Sequence, residues 1–217
     1  MLYLTGDTHG DYRRFERKEI RHLKQGDVLV VCGDFGFVWE GGKKEEKLLQ
    51  KIGKRKHHTL FVPGANENYD LLRQYPEVGY AGGRARQISG NLYQLLTGET
   101  YRLGEKTLLA FGGGEALDCD IVDRTLYEDQ LPKKEELDAV LARLEGQRVD
   151  CVVSYEPPYS IAAFLDLEAK PDGYYGLYLD QVQKRLQLGQ WFFGKYHLDK
   201  RVTPRFMAVY EKAVPLR

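Results

Sequence analysis

Asp7 and His9 stand two residues apart in Leu2-Tyr-Leu-Thr-Gly-Asp-Thr-His-Gly10, where an apolar run stops at a Gly-Asp pair. An extended backbone puts residues i and i+2 on one face, so a carboxylate and an imidazole would project together from a strand end. That ligand pair suits a first-row divalent metal. The alternative is a strand end with a solvated aspartate and a turn made by Gly6 and Gly10. The same punctuation recurs. Asp27 to Cys32 is an apolar run ending in Gly33-Asp34, and Thr59 to Pro63 ends in Gly64-Ala-Asn-Glu-Asn68. Gln190 to Phe193 ends in Gly194-Lys-Tyr-His197. Polar residues collect in loops anyway, but repetition at one structural position points to a cluster at one sheet edge.

The elements that would position these residues follow from the pattern. Asp11 to Lys24 and Lys43 to Ile52 read as amphipathic helices between the first three strands. Strands separated by helices imply parallel pairing, with ligands outside the carboxyl ends. From Asn91 the texture shifts to short runs, Leu92–Leu96, Glu99–Leu103 and Thr107–Phe111, which suggest an antiparallel meander ending in Gly112-Gly-Gly114. Lys133 to Leu144 and Gly176 to Leu188 read as helices, Asp150 to Ser154 and Phe206 to Tyr210 as strands. No repeat or long linker divides residues 1–217, which read as a single domain.

Hydrophobic residues make up 42% of the 217 residues and charged ones 29%, an ordinary globular composition. Lys plus Arg number 32 and Asp plus Glu 32, which argues against nucleic acid or anionic lipid as an electrostatic partner. No apolar run reaches the roughly 18 residues of a membrane span, and no secretory signal pattern opens the chain. Cys32, Cys119 and Cys151 are an odd, sparse set, which suggests a reducing cytoplasm. The one strong basic run, Lys51 to His58, lacks interleaved aromatics and reads as a solvated helix end.

In their order, Gly6-Asp7-Thr8-His9-Gly10, Gly33-Asp34, Gly64-Ala65-Asn66-Glu67, Gly112 to Gly114, Ser154-Tyr155 and Gly194-Lys195-Tyr196-His197 resemble the motifs of calcineurin-like metallophosphoesterases. The stretches Gly112 to Arg124 and Trp191 to Gly194 look like those of small bacterial members. The resemblance covers nearly the whole chain. It implies an α/β fold, a four-layer α/β/β/α sandwich of two mixed sheets, with the site at their carboxyl edge. It also implies a phosphoester substrate, phosphatase or phosphodiesterase, and two divalent metals.

Carried over residue by residue, the first metal would be held by Asp7, His9, Asp34 and His197, all present. The second would share Asp34 but finds Ala65, Tyr155 and Lys195 where the family has metal ligands. Asn66 stands where the family places a proton-donating histidine. The expectation is therefore one divalent transition metal (Mn, Fe, Ni or Zn) and no second. Lys195 would either supply a fixed positive charge near Asp34 or swing to solvent. Tyr155 would pack or bind a phosphate oxygen, Arg124 could hold a substrate phosphate, and Gly112 to Gly114 could approach an anion. Asp118 and Glu115 lie near without a defined role. Asp34, Asn66 and Lys195 would be the groups acting on the reaction. Hydrolysis would be slow, the alternatives being a non-catalytic pseudoenzyme that binds a phosphorylated ligand or a protein, or an empty site with Lys195 pairing Asp34.

Overall fold

A computed structural model describes residues 1–114, 131–165 and 174–216. Its frame is two parallel cores. In the first sheet β1 (Leu2–Gly6), β2 (Val28–Cys32) and β3 (His58–Val62) run parallel in that order. In the second, β8 (Lys106–Phe111), β9 (Arg148–Ser154) and β10 (Gln187–Phe193) do the same. Further strands extend both: β4 (Glu77–Tyr80), β5 (Gly83–Ser89), β6 (Leu92–Leu95) and β13 (Val214–Pro215) join the first sheet, where β6 pairs parallel to β3, and β7 (Thr100–Leu103), β11 (Lys200–Arg201) and β12 (Phe206–Ala208) join the second, where β12 pairs parallel to β10; the other new pairings are antiparallel. The orders are β13-β1-β2-β3-β6-β5-β4 and β11-β12-β10-β9-β8-β7.

Period-two burial decides the layering. On β2, Val30 and Cys32 face a core shared between the sheets, together with Leu4, Leu60, Leu108, Cys151, Val153 and Phe192. Leu29 and Val31 face the other way, against Phe15, Ile20, Leu49, Ile52 and Leu72. Those come from α1 (Arg13–Glu16), α2 (Lys18–Arg21), α3 (Lys43–Gly53) and α4 (Tyr69–Gln74). The outer face of the second sheet, led by Leu109, Trp191 and Phe193, meets Leu137, Val140, Ile161, Leu179 and Val182. These belong to α5 (Lys134–Leu144), α6 (Tyr159–Phe164) and α7 (Tyr174–Arg185). Helices, sheet, sheet, helices: the mixed four-layer architecture stands as expected.

Three local expectations change. The helix expected over Asp11 to Lys24 is broken at Arg17, whose backbone is extended at ψ 145°. Phe15 and Ile20 both enter the core, yet five residues apart they would lie about 140° around a continuous helix; the break brings them to one face. The runs after Asn91 are not one meander. β6 pairs with β3 and β5, whereas β7 and β8 form a hairpin in the other sheet. The Tyr101 hydroxyl spans the crossing, accepting from Leu96 N at 2.9 Å and donating to Arg84 O at 2.5 Å. The β4–β5 hairpin, α4 and α6 were not anticipated. Cys32 and Cys151 are buried free thiols; Cys119, Glu115, Asp118 and Arg124 lie outside the described residues. Among the described residues no helix is long and apolar enough to cross a membrane.

At the amino ends of β2 and β3, His57 is 2% exposed and its Nε2 has no hydrogen-bond partner. Burial, with Arg55 nearby, lowers its pKa to about 4 from an ordinary 6.5. Unfolding restores proton affinity, so stability linked to this ring is complete above pH 6.5 and drains as pH falls toward 4. Urea denaturation between pH 7.5 and 4.5 should show His57→Gln losing less stability than wild type, by on the order of 1 kcal/mol once solvent screening is allowed for. Parallel losses in both proteins would remove His57 as the source.

Candidate metal centre

Every site residue follows the carboxyl end of a parallel strand: Asp7 after β1, Asp34 after β2, Asn66 after β3, Tyr155 and Glu156 after β9, Lys195 and His197 after β10. The loops are drawn together by backbone hydrogen bonds. Asp7 N donates to Gly33 O (3.2 Å), His9 N to Asp34 O (2.9 Å) and Gly10 N to Phe35 O (3.0 Å), while Thr8 Oγ1 donates to Phe35 O (2.8 Å). The second sheet reaches the same place through Gly194, where an added Cβ would stand 2.0 Å from Cys32 O and 2.8 Å from Asp7 Oδ2. Only glycine permits that approach.

The local backbone is left-handed. Asp7 (φ 44°), His9 (48°), Asp34 (38°), Lys195 (70°) and His197 (51°) are five of the six non-glycine residues with positive φ among the described residues. Each such residue costs roughly 1 kcal/mol relative to ordinary backbone, so the surroundings must hold them.

Asp7, His9 and His197 present ligand atoms within 4.8 Å of one another. The two imidazoles are exposed at the rim and meet Nε2 to Nε2 at 2.9 Å, while Asp7 lies fully buried beneath. Tyr210 stacks on His197 with ring centroids 4.6 Å apart. Asp7 Oδ1 accepts from Lys195 N at 3.1 Å, and Oδ2 has no partner. Burial and then the charge of Asp34 push the Asp7 pKa well up. Burial also lowers that of His9, against the pull of Asp34. Asp34 is turned toward Asn66, which donates from its backbone N to Oδ1 (2.9 Å) and from Nδ2 to Oδ2 (2.8 Å).

Lys195 corrects an expectation. Its ammonium neither swings to solvent nor pairs with Asp34: Nζ donates to Glu156 Oε1 at 2.6 Å, with the two side chains 8% and 11% exposed. The positive charge is thus balanced locally by Glu156. Tyr155 does pack, its ring lying so close to Gly33 that an added Cβ would sit 2.1 Å from Cδ2. It also hydrogen-bonds Asp34, and burial with the adjacent carboxylates raises its pKa far above the ordinary value. Gly112 and Gly113 are not free for an anion, since their N–H groups donate to Thr97 Oγ1 (3.1 Å) and Pro63 O (2.8 Å).

Three supporting residues escaped sequence reasoning. Arg14 is buried under the first loop, donating to Asp7 O (3.3 Å), Gly6 O (3.0 Å), Thr5 Oγ1 (3.1 Å) and Tyr210 O. Glu67 is buried and accepts from Phe35 N (2.5 Å) and Gly36 N (3.3 Å), fixing the loop that carries Asp34. Glu156 offered one signal, an acid directly after an apolar strand end.

Two facing mixed sheets with a carboxylate–imidazole cluster at their shared carboxyl edge define an α/β protein built around a metal-binding edge. The calcineurin-like phosphoesterase family model matches residues 2–197, and the chain belongs to that family. A search of curated proteins finds no significant match. Phosphoester hydrolysis and divalent-metal binding follow from the family in general terms. The residues present fit a cation: Asp7 Oδ2 is an orphaned buried carboxylate oxygen beside two imidazole nitrogens, a donor set for a first-row divalent metal.

An uncompensated buried carboxylate destabilises the metal-free fold. In chelator-treated protein, Asp7→Asn should therefore raise the urea-denaturation stability by about 1 kcal/mol. Added Mn or Zn should raise the melting temperature of wild type and leave that of the variant unchanged. A less stable metal-free variant would contradict this account of Asp7.

Proposed function

We propose that this chain is a phosphoesterase with one divalent transition metal (Mn, Fe, Ni or Zn), held by Asp7, His9, Asp34 and His197, hydrolysing phosphate mono- or diesters slowly. One metal in such a site supplies Lewis acidity toward a phosphoryl oxygen and acidifies water. The chain's own groups do the rest. Asp7 and Asp34 provide negative charge from the floor, with Arg14 and Glu67 fixing the loops that carry them. His9 and His197 close the rim, where a substrate arrives from solvent. Asn66 orients Asp34 through two hydrogen bonds.

The observation that carries the one-metal reading is the buried Lys195–Glu156 pair beside the doubly bonded Asn66–Asp34 contact. A second cation would meet an ammonium instead of an imidazole, and Ala65 and Tyr155 instead of the family's ligands. Glu156 itself is already engaged with Lys195. Asn66 donates a hydrogen bond but no proton at neutral pH. Loss of a general acid typically lowers a rate 10²- to 10⁴-fold, so esters with good leaving groups are the favoured substrates. The same two contacts favour a second reading, a non-catalytic member that binds a phosphorylated ligand.

Elemental analysis of purified protein should find one transition-metal equivalent per chain. An activated aryl phosphate or phosphodiester should turn over slowly, and Asp34→Asn should abolish the turnover. Metal bound without turnover would select the non-catalytic reading. The combined variant Ala65→Asn, Asn66→His, Tyr155→His and Lys195→His should raise metal content toward two and increase the rate. Two equivalents in the unaltered protein would end the one-metal proposal.

A further inference from the structure

The basic run at the end of α3 does not stand alone. Arg55, Lys56 and His57 form one wall of a cleft of about 520 Å³, and Arg21, His22 and Lys24 form the other. Both walls immediately precede the amino ends of β3 and β2. The metal centre lies beyond their carboxyl ends, a strand length of about 16 Å away. The cleft is a separate place.

Its charge is one-sided in a chain whose acids and bases balance at 32 each. No carboxylate lines it. Arg21, Lys24 and Lys56 make no ion pair among the described residues, although Arg13, Arg17, Lys51, Arg73, Arg84, Arg86, Lys134, Arg185 and Lys195 all do. The carboxylate next in sequence, Asp27, is taken by the Met1 amine at 2.8 Å and by Lys24 N at 2.8 Å. A second, independent feature lies in the wall: the buried N–H of Arg55 Nε has no hydrogen-bond partner. Arg55 is nevertheless held in place, with its guanidinium over the Tyr12 and Phe15 rings and one nitrogen donating to Tyr12 Oη at 3.0 Å. Unpaired cations around a concavity that no carboxylate lines make an anion receptor.

We propose that this cleft binds a small polyphosphate-type anion, such as pyrophosphate or the phosphoryl chain of a small molecule. Its volume falls within the range of small-molecule sites, roughly 300–1,000 Å³. The lining carries no Phe, Tyr or Trp on which a nucleic-acid base could stack. The cations converge on a concavity from two loops instead of forming an extended stripe along a backbone track. The proposal is independent of catalysis at the metal centre.

The test is calorimetric titration of the metal-loaded protein with inorganic pyrophosphate, for wild type, Asp34→Asn, and the double variant Arg21→Gln and Lys56→Gln. Arg21 and Lys56 are exposed, so the double variant keeps its fold and its rate on an aryl phosphate. Wild type and Asp34→Asn should bind alike, and the double variant about tenfold or more weakly. Loss of binding in Asp34→Asn alone would place the anion at the metal centre and overturn the proposal. So would the absence of binding at millimolar pyrophosphate. Tighter, double-variant-sensitive binding of a single-stranded oligonucleotide would assign the cleft to nucleic acid instead.

Discussion

The buried carboxylate of Asp7 is the constraint around which the site is built. A carboxylate out of contact with water is unfavourable unless it is paired, and Asp7 has one accepted hydrogen bond and one oxygen without a partner. Its position is imposed by both sheets at once. Arg14 holds the carbonyls at the end of β1 from below, Gly33 accepts the Asp7 amide, and Gly194 brings β10 into contact from the far sheet. No one of these contacts is large. Together they overdetermine a left-handed backbone that the residue would not choose, and the strain is offset by packing elsewhere.

The neighbouring position is handled by the opposite strategy. Where Asp7 keeps an oxygen without a partner, the residues beside it meet one another: the Lys195 ammonium against the Glu156 carboxylate, the Asn66 amide against the Asp34 carboxylate, the Tyr155 ring against Gly33. A buried ion pair adds little net stability, because desolvation offsets the attraction. Removing either partner alone would strand a buried charge.

Much of this was legible in the sequence, for physical reasons that differ by element. β1, β2 and β3 are short, apolar and end in Gly-Asp or Gly-rich loops, so their parallel order and the placement of Asp7 and Asp34 at one sheet edge followed. Asp7, His9 and His197 do converge. The β4–β5 hairpin was hidden because Gly79, Gly82, Gly83, Arg84 and Arg86 break the apolar alternation, the arginines pairing with Glu77 and Glu99 at an edge. The crossing from β6 to β7 was hidden because pairing partners are set by the core between the sheets, not by the runs themselves. Arg14 reads as a surface residue of an amphipathic helix until the break at Arg17 turns it inward. The partner of Lys195 could not be inferred from spacing, since Glu156 arrives from a different strand.

Lys195 makes two separate contacts. Its backbone and its side chain serve different partners. The amide donates to Asp7 Oδ1, which supports the cluster of Asp7, His9 and His197, while the ammonium pairs with Glu156. The left-handed conformation at φ 70° belongs to the first role, and the Asp7 contact helps to hold it against the steric cost of a side chain there. A substitution at this position therefore preserves the Asp7 contact as long as the backbone keeps its turn and the new side chain finds a buried counter-charge. Glu156, in the loop after β9, supplies that charge. The two positions together make a buried ammonium compatible with a fully formed fold.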